Sequence, residues 1–221
     1  MFRRLKRIAD IFKSEGIIGG LNWLITTIYH RAIPQKQVIW CTNLTELNGE
    51  GFSIPDYIKI ERLYSLDQLD KRDYKTLTEC GTDLMGSAGS IIIRERFDKC
   101  AVLWLLKENG QLAGYRWTIV NNHVTPTYFP HTEGDVHSIG AEIFPNFRGR
   151  NLLFLFQINS FIIMKNEGFK RFYAETYVWN KQAVRAFLKT NLRKVGIATR
   201  FSFFGKNVVI WHDMTGKIEC K

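Results

Sequence analysis

The chain has 221 residues, 45% of them hydrophobic and 24% charged, ordinary figures for a folded soluble protein and enough for one generous α/β domain with a short appendage. Its net charge of +10 and pI near 9.5 attract polyanions: nucleic acid, an anionic bilayer or a phosphorylated cofactor. Zinc-finger spacing, an aromatic RNA-binding signature and a long basic tail are all missing, which leaves nucleic acid the least supported of the three.

Phe2, Leu5, Ile8, Ala9 and Phe12 recur at helical spacing, with Arg3, Arg4, Lys6, Arg7 and Lys13 between them, the pattern of a basic amphipathic helix. Gly16 and Gly19-Gly20 interrupt it, and Leu21, Leu24, Ile25 and Ile28 form a second apolar face. No small-residue cleavage pattern precedes His30-Arg31, and the 13 residues from Ile17 to Tyr29 fall short of the ~20 that span a bilayer. Two readings stay open. The helices lie in the interface of an anionic membrane with Trp23 and Tyr29 at headgroup depth, or they pack on the domain or on a second copy in a homodimer. Residues 1–35 are therefore set apart as a helical extension, and residues 36–221 as the domain. Cys41, Cys80, Cys100 and Cys220 form no C-x-x-C pair. They read as reduced thiols of a cytoplasmic protein rather than as a disulfide framework or metal site, and the first reading of the helices puts that protein at the inner face of the membrane.

Gln37 to Cys41 reads as a strand, Asn43 to Pro55 as a loop, and Tyr57 to Leu63 as a half-buried strand. Ser65 and Gln68 make a capping box that predicts a polar helix there. A glycine-rich break over 81–89 leads into a helical run from Ser90 to Phe97. Ala101 to Leu106 and Gln111 to Val120 form a hairpin across Asn109-Gly110. Val136 to Phe144 is a strand, Leu152 to Lys165 a long apolar helix, Phe172 to Trp179 a strand and Lys181 to Lys189 a helix. Gly196 to Phe204 and Asn207 to Trp211 close the chain as a hairpin. The order is that of a mixed α/β sheet.

The stretch with chemical content is Ile143-Phe144-Pro145-Asn146-Phe147-Arg148-Gly149-Arg150-Asn151-Leu152. A strand ends, a basic loop turns and a helix begins, so unpaired amides and the helix dipole meet two guanidinium groups in a phosphate cradle. This loop and the order of elements over residues 57–211 resemble the GNAT-type N-acetyltransferases. That family's pattern is Gln/Arg-x-x-Gly-x-Gly/Ala after Val-x-Pro, and Ile143-Phe144-Pro145 with Arg148 stands in its place. Asn180 with Ala183 matches a second family element. Asn151 and Leu153 depart from the two later small positions.

The resemblance implies a mostly antiparallel central sheet flanked by helices. It also implies acetyl-CoA or another acyl-CoA as co-substrate, with no metal, held by Ile143, Phe144, Arg148, Gly149, Arg150, Asn151 and Leu152, then Asn180, Ala183 and Phe187. The amide of Ile143 becomes the oxyanion donor. His137 is the first choice as base, on the strand position where several family members carry Glu or His, and Asp135 is placed to orient it. Glu142, expected on the opposite face, and Glu175 are further candidates. Loop residues His123 and His131 are candidates for lining the acceptor site. Phe187 occupies the place of the family's acidic Tyr, leaving Tyr177 or Tyr173 to protonate the leaving thiolate. The leading expectation is N-acylation of a small-molecule or lipid-linked amine such as an amino sugar, by analogy with acyltransferases of bacterial surface polysaccharide pathways. Two alternatives stand: a long-chain acyltransferase fed by acyl carrier protein, and a non-catalytic binding module.

Overall fold

The computed structural model describes residues 35–47, 54–81, 84, 86–120, 132–190, 192–203, 206–214 and 218–220. The amphipathic segments expected before residue 30 lie outside them, as do His123 and His131. The chain divides into two compact units, Val38–Gly196 and a smaller one that includes Ile197–Lys221.

The larger unit is built on strands β1 (Gln35–Asn43, of which it holds Val38 onward), β2 (Ile58–Leu63), β3 (Val102–Glu108), β4 (Gln111–Val120), β5 (Asp135–Ile143) and β6 (Arg171–Tyr177), in the spatial order β2-β3-β4-β5-β6-β1. Pairs β2/β3, β3/β4 and β4/β5 are antiparallel, whereas β5 and β6 run parallel. Asn109 and Gly110 both take positive φ, 51° and 74°, as the two-residue turn between β3 and β4 requires. Helices α1 (Lys71–Cys80), α2 (Gly86–Asp98), α3 (Leu152–Asn166) and α4 (Lys181–Leu188) complete the unit. In the smaller unit β8 (Lys206–Asp213) pairs antiparallel with β9 (Ile218–Cys220), a short strand the sequence did not signal. The boundary strand β7 (Arg193–Phe203) starts three residues before the predicted Gly196.

Two helix starts differ from expectation. Ser65 makes no side-chain cap, and Leu66–Gln68 is a single 3₁₀ turn in which Gln68 Oε1 accepts from the Tyr64 amide at 2.7 Å. The α-helix begins at Lys71, where Asp70 Oδ1 accepts from the Asp73 amide at 2.7 Å. That bond holds the Asp70 carboxyl below its usual pKa. Helix α2 begins at Gly86, inside the stretch read as a break.

Two apolar clusters occupy the larger unit. One gathers Leu77, Ile93, Leu103, Leu105, Tyr115 and Trp117, which joins α1 and α2 to the sheet. Lys107 Nζ adds a polar tie, 2.8 Å from Glu61 and 2.7 Å from Asp73. The other gathers Trp104, Val136, Phe156, Phe161, Phe172 and Ala174, which joins α3 to the sheet. No helix among the described residues is long and apolar enough to cross a membrane.

Candidate active site

The parallel pairing of β5 with β6 runs from Asp135 opposite Arg171 to Ser138 opposite Ala174. Both strands continue past it, β5 to Ile143 and β6 to Tyr177, so their free ends border a wedge. The cause is visible one strand away. Trp117 pairs with Gly140 and Thr118 with Ser138, which makes Ile139 the extra residue of a β-bulge. Gly140 holds φ at 155°, open to glycine, and the Arg96 guanidinium lies 3.6 Å from where its Cβ would stand. At the strand end a Cβ on Gly114 would meet the Glu142 carbonyl oxygen at 2.5 Å, so only glycine lets β4 approach β5 this closely.

The bulge also changes which side chains share a face. Paired residues lie on one side of a sheet, so the partners of Ile119, Trp117 and Tyr115 (His137, Gly140 and Glu142) face the same way. Glu142 was expected on the face opposite His137; the inserted Ile139 shifts the alternation and brings it to the same face. Tyr115 joins it, its hydroxyl 3.4 Å from Glu142 Oε2. Sequence reasoning missed Tyr115. A glycine inside a strand, Gly140, was the signal that the parity had shifted.

His137 is 5% exposed, and its Nε2 lies 3.3 Å from Glu175 Oε1 on β6. The two strands thus bring two predicted residues into ion-pair range. Asp135, expected to orient His137, is fully buried and is held by Arg171: Nε donates to Oδ1 and Nη2 to Oδ2, each at 2.8 Å. The Thr132 amide also donates to Oδ2 at 2.7 Å. Asp135 is therefore the buried anchor of an arginine, and Glu175 takes the place beside the imidazole.

The two tyrosines differ. Tyr173 sits opposite His137, and burial holds its phenol well above the ordinary range. Burial also raises the Cys41 thiol beside it, outweighing the hydrogen bond between the two. Tyr177 is half-buried at the end of β6, stacked on Trp179 with ring centroids 5.2 Å apart. Phe187 sits edge-on to Trp40 at 5.6 Å in the α3-side cluster.

The loop after β5 folds as a cradle, held in a way the sequence did not disclose. Ile143 and Phe144 are buried in the two different clusters, anchoring its start. Arg148 Nε donates to the Ile143 carbonyl at 2.9 Å, and its Nη2 lies 3.2 Å from Glu142. Arg150 pairs with Glu108 at 2.6 Å and lies over the Phe147 ring. Both guanidinium groups thus brace the loop against strand carboxylates. Gly149 and Asn151 take positive φ, 82° and 59°, and α3 starts at Leu152. Asn151 is the non-glycine residue that accepts this conformation best. The start of α3 presents first-turn amides, which lack intrahelical acceptors, the general arrangement that suits a phosphate. Leu153 packs on the α3-side cluster. Asn180 and Ala183 are a helix cap, Oδ1 accepting from the Ala183 amide at 3.1 Å.

A cavity of about 560 Å³ lies elsewhere, lined by Cys41, Asn43, Glu46, Thr190 and Arg193. It is at the end of β1 where the Leu44 amide donates to the Lys170 carbonyl, just before β6 begins. Among the described residues no group of His, Cys, Asp and Glu side chains gathers to hold a metal ion.

No protein-family model matches the sequence, and neither does any curated protein. Solved structures do match in fold. A GCN5-related N-acetyltransferase from Sphaerobacter thermophilus superposes with a TM-score of 0.53 at 14% identity, over 82% of this chain and 55% of that one. A tandem GNAT protein from the clavulanic acid biosynthesis pathway gives 0.52 at 9%, over 74% and 51%. A GNAT-family acetyltransferase from Colwellia psychrerythraea gives 0.50 at 12%, over 80% and 59%. This chain spans little more than half the length of each.

Proposed function

We propose, with the GNAT fold of this chain as premise, that it is an acyl-CoA-dependent N-acyltransferase. The observation that carries the reading is the His137–Glu175 pair, 3.3 Å apart on the strands that border the wedge. The wedge is followed directly by a loop and helix start suited to a pyrophosphate.

In this reading the thioester lies along the free end of β5, and amides there, Ile143 first, receive the carbonyl oxygen. The amine nitrogen attacks the carbonyl carbon, the C–N bond forms, the C–S bond breaks and its electron pair leaves on sulfur. His137 takes the amine proton, directly or through water, and the Glu175 carboxylate stabilises the imidazolium. Glu142 and Tyr115, on the same face, border the acceptor side. Tyr177, at the free end of β6, is our candidate to protonate the thiolate, because Phe187 has no proton to give. The acceptor class we propose is a small or lipid-linked amine such as an amino sugar.

The test is turnover of acetyl-CoA across a panel of amines, with thermal shift against CoA alongside. At a hundred times Kd, CoA should add about 2.7 kcal/mol of stability. Turnover that survives His137→Ala unchanged removes His137 from the mechanism. A second reading, a non-catalytic module, draws support from Phe187 and from the pairing of Arg148 and Arg150 with carboxylates. Absence of any stabilisation at high CoA would decide for it.

A further inference from the structure

Charge is unevenly dealt along this chain. Residues 41–175 carry 15 Lys and Arg against 17 Asp and Glu, whereas residues 176–212 carry seven cations and no Asp or Glu at all. The structure shows where part of that excess goes. On α4 and its C-cap the exposed residues are Lys181, Gln182, Arg185, Leu188 and, at the cap, Lys189, which at 100° per residue form one face. Val184 and Phe187, on the other side, pack on the α3-side cluster. The three cations follow i, i+4, i+8 spacing, so they stand in a row along the helix. Arg193 and Lys194, just beyond, are exposed too. Among the described residues none of these five makes an ion pair, in contrast to Lys107, Arg148, Arg150 and Arg171.

The same region exposes large apolar side chains. Trp179 and Leu188 are each 66% exposed and Val178 44%. Leu188 lies at the edge of the basic row, and Trp179 two residues before the helix. A purely basic face would suit an acidic protein equally well. Exposed indole and aliphatic groups beside unpaired cations fit a bilayer interface better, because there the rings and methyls enter the headgroup layer while lysine and arginine heads meet lipid phosphates.

We propose that α4 and the turn before it dock this protein on an anionic lipid surface, with Val178, Trp179 and Leu188 in the headgroup layer and Lys181, Arg185 and Lys189 against its phosphates. The proposal rests on this surface and not on acyl transfer, so either can fail without the other. The experiment is co-sedimentation of the full chain with vesicles of phosphatidylcholine alone, or with about 30% phosphatidylglycerol added. Binding should need the anionic lipid and weaken as salt rises. The triple variant Lys181→Gln, Arg185→Gln, Lys189→Gln should lose about a hundredfold in affinity. Trp179→Ala with Leu188→Ala should lose tenfold or more. All these positions are exposed, and an unchanged circular dichroism spectrum confirms folding. Neutralising Arg3, Arg4, Lys6 and Arg7 instead, in a parallel variant, should leave the α4-dependent share of binding in place. Equal binding to neutral vesicles, or wild-type affinity in the triple variant, overturns the proposal. So does capture of an acidic protein by this face with no vesicle binding.

Discussion

Each buried polar group here has a different purpose. His137 and Glu175 face each other across the two parallel strands, and removing either should read out differently. His137→Ala should lower acyl transfer by about 10²- to 10⁴-fold with the fold intact. Glu175→Gln leaves the imidazole in place but removes the carboxylate that stabilises the imidazolium formed in the transfer, so acyl transfer should fall, by less than the loss of His137 itself. A rate that does not fall would leave Glu175 without a part in the proton transfer. Arg116 is the opposite case. It is 1% exposed, lies over the rings of Phe156 and Phe172 at 5.1 and 5.3 Å, and has no acceptor for Nε or Nη1 among the described residues. Burial pushes its pKa down. Replacing an unpaired buried charge by an apolar chain of like length is neutral or stabilising, so Arg116→Met should keep or raise the melting temperature. A fall of several degrees would show that the guanidinium has a partner such as an internal water.

At the level of elements, the cradle depends on backbone conformation more than on side-chain charge. Asn151 at φ 59° tells the two apart. Asn151→Gly should preserve stability and donor affinity, whereas Asn151→Val, β-branched in a left-handed conformation, should cost about 1–2 kcal/mol. Urea unfolding of the pair measures the difference. The strand-loop-helix was legible in the sequence because Pro145, Gly149 and the apolar run after Leu152 each punctuate the chain. What the two arginines do was not legible, since their partners Glu108 and Glu142 come from β3 and from the strand end, and pairing is a tertiary fact. The same limit applies to α1. Ser65 and Gln68 satisfy a local capping rule, but the helix waits for Asp70, where Asp73 can also reach Lys107 from β3.

On the scale of the larger unit, two separate apolar clusters depend on one sheet. Phe156, fully buried, belongs to the α3 side, and Leu77, also fully buried, to the side of α1 and α2. Phe156→Ala should cost about 3–5 kcal/mol and Leu77→Ala about 2–5. If the sheet couples the two clusters, each variant lowers the same single unfolding transition; resolved separate transitions would refute that coupling. Fold class and element order were readable at this scale, because alternation and turn residues are periodic and local. Phe97, Trp117 and Arg96, which gather beside the bulge, are scattered over 22 positions of sequence and carry no joint signal.

Ile139 shows how much chemistry can hang on residue count alone. Every other feature of β5 could stay the same, its composition and its hydrophobicity. Yet without the bulge the five-position step from His137 to Glu142 would follow strict alternation and send one of them to the side of the sheet occupied by α3. Because Ile139 is itself the inserted residue, deleting it leaves the two four positions apart and still on one face. A chain lacking Ile139 should therefore fold, by circular dichroism and melting, and keep acyl transfer; loss of transfer in a folded deletion variant would show that the bulge itself, and not the shared face, is what the site needs. The spacing of the acid–base groups behaves like an odd–even switch: the five-position step works only with the bulge, and the four-position step only without it.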